Sequence, residues 1–98
     1  MLGNRVVVPA YALLNYSGGL LAQGNWMQAG TGFSLFVLNG TAVAKCVLRD
    51  NHFTSPSKGG YVQAGAHDNR IVENVFLGAG NDIDSTGAGS GNVLTPNY

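Results

Sequence analysis

One pattern of asparagine and apolar residues recurs along this 98-residue chain at nearly constant spacing, and it limits the folds that the chain can adopt. The segment 70–76 (RIVENVF) aligns with 47–53 (VLRDNHF) and with 93–98 (VLTPNY) when residue numbers are shifted by 23. A further copy, 22–27 (AQGNWM), aligns with 48–53 at a shift of 26. The repeated asparagines are Asn25, Asn51, Asn74 and Asn97. Repetition at this period indicates a stacked array of small structural units.

A second, weaker track of short β-prone segments lies upstream of each copy. Its members are 13–15, 37–40, 61–65 and 82–85, each followed by turn residues. The 15 glycines interrupt nearly every window in which a helical period could develop. Each repeat is therefore predicted to hold two or three short strands and no long helix. Stacking would bring Leu48, Ile71 and Leu94 over one another at about 4.8 Å per repeat.

The segments Leu48-x-x-Asn51-x-Phe53 and Ile71-x-x-Asn74-x-Phe76 resemble the repeats of right-handed parallel β-helix proteins. This pectate-lyase-like family includes many bacteriophage tailspikes and polysaccharide lyases. The resemblance implies an all-β fold, a short right-handed parallel β-helix of about four coils with a period of about 23 residues. It further implies that the aliphatic and aromatic positions point inward and that an asparagine turns the chain between strands.

The chain is expected to form one domain, 1–98, because its length allows only one small core. Residues 1–19 are interpreted as an N-terminal cap or a first partial coil, and residues 20–98 as regular coils. The asparagine column is predicted to be structural. Asparagine tolerates the left-handed backbone region, and its amide can bond to the amide of the next coil.

Composition favours contacts with other protein. Only 10% of residues are charged and the formal net charge is zero, whereas 45% are hydrophobic. Ordinary soluble monomers carry roughly 25% charged residues. We therefore expect a homo-oligomer, most simply a trimer of side-by-side β-helices. Five Lys and Arg residues form no basic patch, so neither nucleic acid nor an anionic membrane surface is an expected partner.

Candidate chemical groups are few. Stacking would place Asp50 next to Glu73, and two carboxylates about 5 Å apart suit a retaining glycosidase; a solvated mixed-charge stripe with the neighbouring arginines explains them equally. His52 and His67 share no metal-ligand spacing with Cys46, which is interpreted as a buried, inert thiol. No catalytic residue, cofactor or metal is predicted.

A calcium-binding alternative rests on the segment 78–83 (GAGNDI), which looks like half of the calcium-binding nonapeptide of β-rolls. That pattern needs a second aspartate in the next nonapeptide after Asp82, and Gly91 stands there. Asp82 and Asp84 are therefore interpreted as turn-capping residues, with a lone surface cation site as the remaining alternative.

One column of outward side chains is a candidate interaction surface. Trp26, His52, Val75 and Tyr98 occupy equivalent positions directly after the repeated asparagines. A column of this composition is unusually apolar for a surface and is predicted to contact another subunit or a glycan. Tyr16 and Tyr61 could also stack on sugars if they share a face with Trp26.

The function expected from these features is that of a non-enzymatic structural protein of a bacteriophage-like particle, either a capsid decoration protein or a small tailspike module. Its location would then be the virion, and its partners would be copies of itself, other virion proteins and, as a further candidate, surface polysaccharide. Two alternatives stay open: a polysaccharide lyase or glycoside hydrolase fragment of a tailspike, and a glycan-binding module that uses Trp26 and the tyrosines.

Overall fold

Short strands make up the regular structure of this chain. The computed structural model describes residues 2–8, 11–30, 34–55, 59–78 and 83–98. The strands are β1 (Arg5–Val7), β2 (Leu13–Asn15), β3 (Leu21–Gln23), β4 (Trp26–Gln28), β5 (Phe36–Asn39), β6 (Val47–Arg49), β7 (His52–Ser55), β8 (Gly60–Gln63), β9 (Arg70–Val72), β10 (Val75–Gly78) and β11 (Ile83–Asp84). Within those ranges no residue is helical, as the glycine spacing predicts.

The strands form three parallel sheets that the chain visits in rotation. Sheet I has the order β1-β4-β7-β10, sheet II the order β2-β5-β8-β11, and sheet III the order β3-β6-β9. Each strand therefore pairs with the strands three places before and after it along the chain. We call one passage of the chain through the three sheets a circuit. Parallel neighbours reached in this way are compatible with a β-helix-like solenoid, so the all-β, parallel part of the predicted fold is confirmed.

The register reproduces the spacing of the sequence repeat. In sheet I, Trp26 pairs with His52 and His52 with Val75, so the residue number advances first by 26 and then by 23, as it does along the repeated asparagines. Sheet III continues past β9 through a parallel bridge between Arg70 and Val93. The N-terminal segment takes part as well, since β1 and β2 pair in parallel with β4 and β5. The second track of the sequence corresponds to the strands of sheet II.

The core consists of columns of equivalent apolar residues. Leu48 and Ile71 are adjacent in register and fully buried, as predicted. Phe53 pairs with Phe76, and their ring centroids lie 5.1 Å apart. Phe36 extends this aromatic group, 5.5 Å from the ring of Phe53. Each buried phenylalanine contributes about 1.5–3 kcal/mol through burial, and each ring pair about 0.5–1.5 kcal/mol more.

Gly60 lets the aromatic group fit between circuits. It pairs with Phe36 across sheet II, and a Cβ atom at Gly60 would collide with the Phe36 ring. The ring therefore fills the space above a residue that has no side chain. The glycine is required here by close packing, since its φ lies outside the left-handed region.

The turn before each sheet I strand differs from the prediction in one respect. The left-handed residue is the one that precedes the asparagine: Gly24 (φ 67°), Asp50 (φ 54°) and Glu73 (φ 61°). The expectation that the asparagine itself adopts this conformation is wrong. Each asparagine instead points its amide inward, where it bonds to its neighbours along the column.

Candidate functional site

The first asparagine ladder runs through the buried corner between sheets III and I. It comprises Asn4, Asn25, Asn51, Asn74 and Asn97. The Nδ2 of Asn51 donates to Oδ1 of Asn74 at 2.9 Å and to the carbonyl of Ala22 at 2.9 Å. Its own Oδ1 accepts from the backbone N and the Nδ2 of Asn25, both at 3.0 Å. Each circuit is thus bonded to the next through side-chain amides, as predicted.

A second ladder, absent from the sequence prediction, occupies the corner between sheets II and III. It comprises Cys46, Asn69 and Asn92. The Oδ1 of Asn69 accepts from the backbone N of Cys46 at 3.0 Å, and its Nδ2 donates to the carbonyl of Val43 at 3.1 Å. Asn69 and Asn92 are 23 residues apart and bonded in the same way. The signal was present in their spacing, but Cys46 breaks the pattern one circuit earlier.

Cys46 is buried, as predicted, and has polar neighbours. Its Sγ lies 3.5 Å from the Nδ2 of Asn15 and 3.6 Å from the carbonyl of Ser17. The thiol is enclosed within the protein, with no exposed surface. These contacts assign Cys46 to the scaffold.

The predicted outward column lies on sheet I. Trp26, His52 and Val75 are consecutive register partners. Tyr98 continues them, because its backbone N donates to the carbonyl of Asn74 at 2.7 Å just as the N of Val75 donates to Asn51. The side chain of Tyr98 is 66% exposed. The four predicted residues therefore do share one column, although Trp26 and Val75 are only half-exposed.

Two further features of this face were not predicted. The Arg5 guanidinium carbon lies 4.7 Å from the centroid of the Trp26 ring, a cation–π contact that covers part of the indole. A second outward column, Val7, Gln28, Thr54 and Leu77, runs beside the first. Val7 is 57% exposed and Leu77 49% exposed. We call both columns together the sheet I face.

The two carboxylates singled out by spacing do lie in adjacent circuits. The backbone N of Asp50 donates to the carbonyl of Glu73 at 3.2 Å, and that of Glu73 donates to Pro96 at 2.7 Å. Both acids are exposed, and Asp50 approaches Arg49 at 4.0 Å. Both also occupy the left-handed turn positions described above. Their arrangement is compatible with a solvated stripe of mixed charge. The alternative of a polysaccharide-cleaving enzyme stays a prediction.

Two other titratable groups have perturbed acidities. Asp68 accepts from His67 Nδ1 at 2.7 Å, which raises the pKa of His67, while His67 Nε2 lies 3.1 Å from the carbonyl of Thr41. Thr86 donates to Asp84 through its hydroxyl at 2.7 Å and its backbone N at 2.9 Å, which lowers the pKa of Asp84. Asp84 thus caps a turn, as predicted, whereas Asp82 and most of the 78–83 segment lie outside the described residues.

Within the described ranges, no group of three His, Cys, Asp or Glu side chains is arranged to hold a metal ion. The same residues form no helix that is long and apolar enough to span a membrane.

The aromatic residues do not form one surface. Trp26 and Tyr98 lie on sheet I, whereas Tyr61 belongs to β8 of sheet II and Tyr16 directly follows β2. Trp26, Tyr16 and Tyr61 therefore do not meet the condition of one shared outer face, because residues of successive strands in one circuit point out of different sheets.

Comparison with known proteins finds no match to this chain among protein-family models, curated proteins or solved structures.

Proposed function

We propose that this chain is a non-enzymatic structural component of a bacteriophage-like particle, built as a short right-handed parallel β-helix that packs against copies of itself. The surface proposed for this packing is the sheet I face, and the proposed assembly is a trimer. The assignment to a particle rests on the resemblance of the repeats to tailspike β-helices and on the low charge of the chain. The choice of surface rests on the exposed side chains of sheet I.

The observation that carries the proposal is the apolar character of the sheet I face. Val7, Leu77 and Tyr98 are each about half or more exposed. They lie in two neighbouring columns, so they belong to one continuous surface together with Val75 and Trp26. Exposed apolar side chains concentrated on one face of a sheet favour an interaction site there.

Charge supports the same surface. Among the described residues of the two sheet I columns, Arg5 alone is permanently charged, and it stacks on Trp26 near the edge of the sheet. The polar residues between the apolar ones are Gln28, Thr54 and His52, which are neutral or titratable. Burial of this face against a second copy therefore requires little desolvation of charge, the main cost of burying ionic surface.

The experiment is a mass measurement by light scattering on the wild type and two matched variants. Leu77→Lys places a charge in the sheet I face, and Leu14→Lys places one on sheet II at similar exposure, 49% and 46% for the two leucines. The wild type and Leu14→Lys are expected at about three times the 10.2 kDa chain mass. Leu77→Lys is expected at the mass of one chain, because a buried unpaired ammonium opposes association.

A wild-type monomer at micromolar concentration would overturn the packing proposal. Dissociation by Leu14→Lys with retention by Leu77→Lys would move the interface to sheet II. The particle assignment is tested separately, by immunodetection of the chain in purified virions, and its absence from them would refute that assignment without affecting the interface.

A further inference from the structure

A pocket of about 290 Å³ opens on the outer face of sheet II, away from the sheet I face. Its lining residues come from or flank β2, β5 and β8: Tyr11, Leu14, Tyr16, Ser34, Val37, Asn39, Tyr61 and Gln63. Its volume lies at the lower end of the roughly 300–1,000 Å³ typical of small-molecule sites. A ligand of one or two rings is the size that fits.

Two outward columns build this pocket. Leu14, Val37 and Tyr61 are successive register partners. Val37 is only 5% exposed although it points outward, whereas Leu14 is 46% exposed. Val37 therefore forms an apolar floor. The side chains around Val37 bury it, so the concavity is formed by the lining side chains.

The second column supplies hydrogen-bonding groups. Asn39 pairs with Gln63 in register, and Tyr16 is in step with Asn39 because Asn15 pairs with Leu38. The amides of Asn39 and Gln63 are half-buried, which leaves them accessible to a ligand. An amide side chain offers both a donor and an acceptor. The column thus places two such groups beside the Tyr16 ring, which is 62% exposed.

The charge around the pocket selects among ligands. None of the eight lining residues carries a formal charge. The nearest charged group along the first column is Asp84, the register partner of Tyr61. Its hydrogen bonds from Thr86 keep it ionised, as its lowered pKa indicates. A carboxylate at this edge repels anionic ligands, and the lining residues include no cation to attract them.

We propose that this sheet II pocket binds a neutral saccharide, either a single pyranose unit or the end of a longer uncharged glycan. A pyranose has apolar C–H faces that pack on tyrosine rings, and hydroxyl groups that pair with the Asn39 and Gln63 amides. This combination of aromatic rings and paired amides fits an uncharged polyol, and the Asp84 carboxylate at the edge disfavours an acidic sugar.

The test is calorimetric titration of the whole chain with neutral, acidic and cationic probes. The neutral probes are gluco-, galacto- and manno-oligosaccharides; oligogalacturonate and choline serve as charged probes. At least one neutral series is expected to bind with a Kd below about 1 mM. Failure of every neutral probe to bind at 10 mM would overturn the proposal, as would tighter binding of oligogalacturonate or choline.

Matched tyrosine variants locate the site. Tyr16→Ala and Tyr98→Ala remove the same side chain at similar exposure, 62% and 66%, from sheet II and sheet I respectively. Tyr16→Ala is expected to weaken saccharide binding at least tenfold, as is Gln63→Ala, and Tyr98→Ala to leave it within twofold. The reverse order would transfer the site to the sheet I face. Far-ultraviolet circular dichroism establishes that each variant is folded.

Discussion

The two asparagine ladders occupy equivalent corners of each circuit, yet only the first one is continuous. Asn51 in the first ladder bonds to an asparagine on each side, Asn25 before it and Asn74 after it. Cys46 in the second ladder donates its backbone N to Asn69, but the equivalent position of the preceding circuit is Leu20 and not an asparagine. From this difference we expect the loss of an amide to cost most stability where it bonds to amides on both sides.

Replacing a buried asparagine that has two amide neighbours should lower the free energy of unfolding the most. Asn51→Ala deprives the buried Asn25 of the acceptor for two N–H groups and the Ala22 carbonyl of its donor. Each unsatisfied buried group costs about 1–3 kcal/mol, so the free energy of unfolding, measured by urea denaturation, is expected to fall by about 4 kcal/mol. That is a large share of the roughly 5–15 kcal/mol stability of a domain.

Asn97→Ala is the matched control in the same ladder. Asn97 is only partly buried, and it has an asparagine on one side only: its Oδ1 accepts from Asn74, whereas its Nδ2 donates to the carbonyls of Ile71 and Leu94. A loss of about 2 kcal/mol is expected. Equal losses at Asn51 and Asn97 would contradict the importance of two-sided bonding.

Exchanging residues between the ladders should have unequal effects. Asn51→Cys is expected to cost about 3 kcal/mol, because a thiol is a weak acceptor for the two N–H groups of Asn25. Cys46→Asn is expected to change stability by less than about 1 kcal/mol, since Asn15 and Ser17 already provide polar partners around the Cys46 Sγ. Thermal denaturation of the two single variants measures both. A larger loss from Cys46→Asn than from Asn51→Cys would refute the comparison.

The smallest expected effect is a pH dependence from His67, which lies two residues before Asn69 of the second ladder. Both partners of the His67 ring, the Asp68 carboxylate and the Thr41 carbonyl, are acceptors, so only the protonated imidazole donates to both. The pKa of His67 is raised in the folded protein. Its stabilising contribution is therefore complete below about pH 6.5 and is lost as pH rises through the higher folded value.

Urea midpoints of the wild type and His67→Gln between pH 5 and 8.5 isolate this contribution, because all other titrating groups are common to both. The difference between the two midpoints should shrink as pH rises. If the difference between the two midpoints stays constant from pH 5 to 8.5, it does not arise from protonation of His67, and the prediction is refuted.

Much of the scaffold was predictable because its determinants repeat in sequence. The regular spacing located the columns containing Leu48, Ile71, Phe53 and Phe76, and it located the amide bonds of the first ladder. Asn4 escaped detection because its circuit is shorter, since Asn4 and Asn25 are only 21 residues apart. The left-handed turn was assigned to the wrong residue, because the positions that adopt it, Gly24, Asp50 and Glu73, share no residue type, whereas the neighbouring position is always asparagine.

The outer faces were harder to predict, because the direction of an outward side chain depends on which of three sheets carries it. The column from Trp26 to Tyr98 follows the repeat and was found. The sheet II pocket combines Tyr16 with Asn39 and Gln63. These residues follow the repeat spacing but are not of one residue type. A repeat search that seeks similar residues does not detect dissimilar ones in one column.

Amide hydrogen exchange by NMR tests the central structural claim most directly, namely that the continuous first ladder binds successive circuits into one unit. The backbone N–H groups of Asn25, Asn51 and Asn74 each donate to the side-chain Oδ1 of the next asparagine at 3.0–3.1 Å. These three are predicted to exchange in the slowest class, at the rate of global unfolding. Exchange as fast as that of Tyr16, which is exposed and directly follows β2, would contradict it.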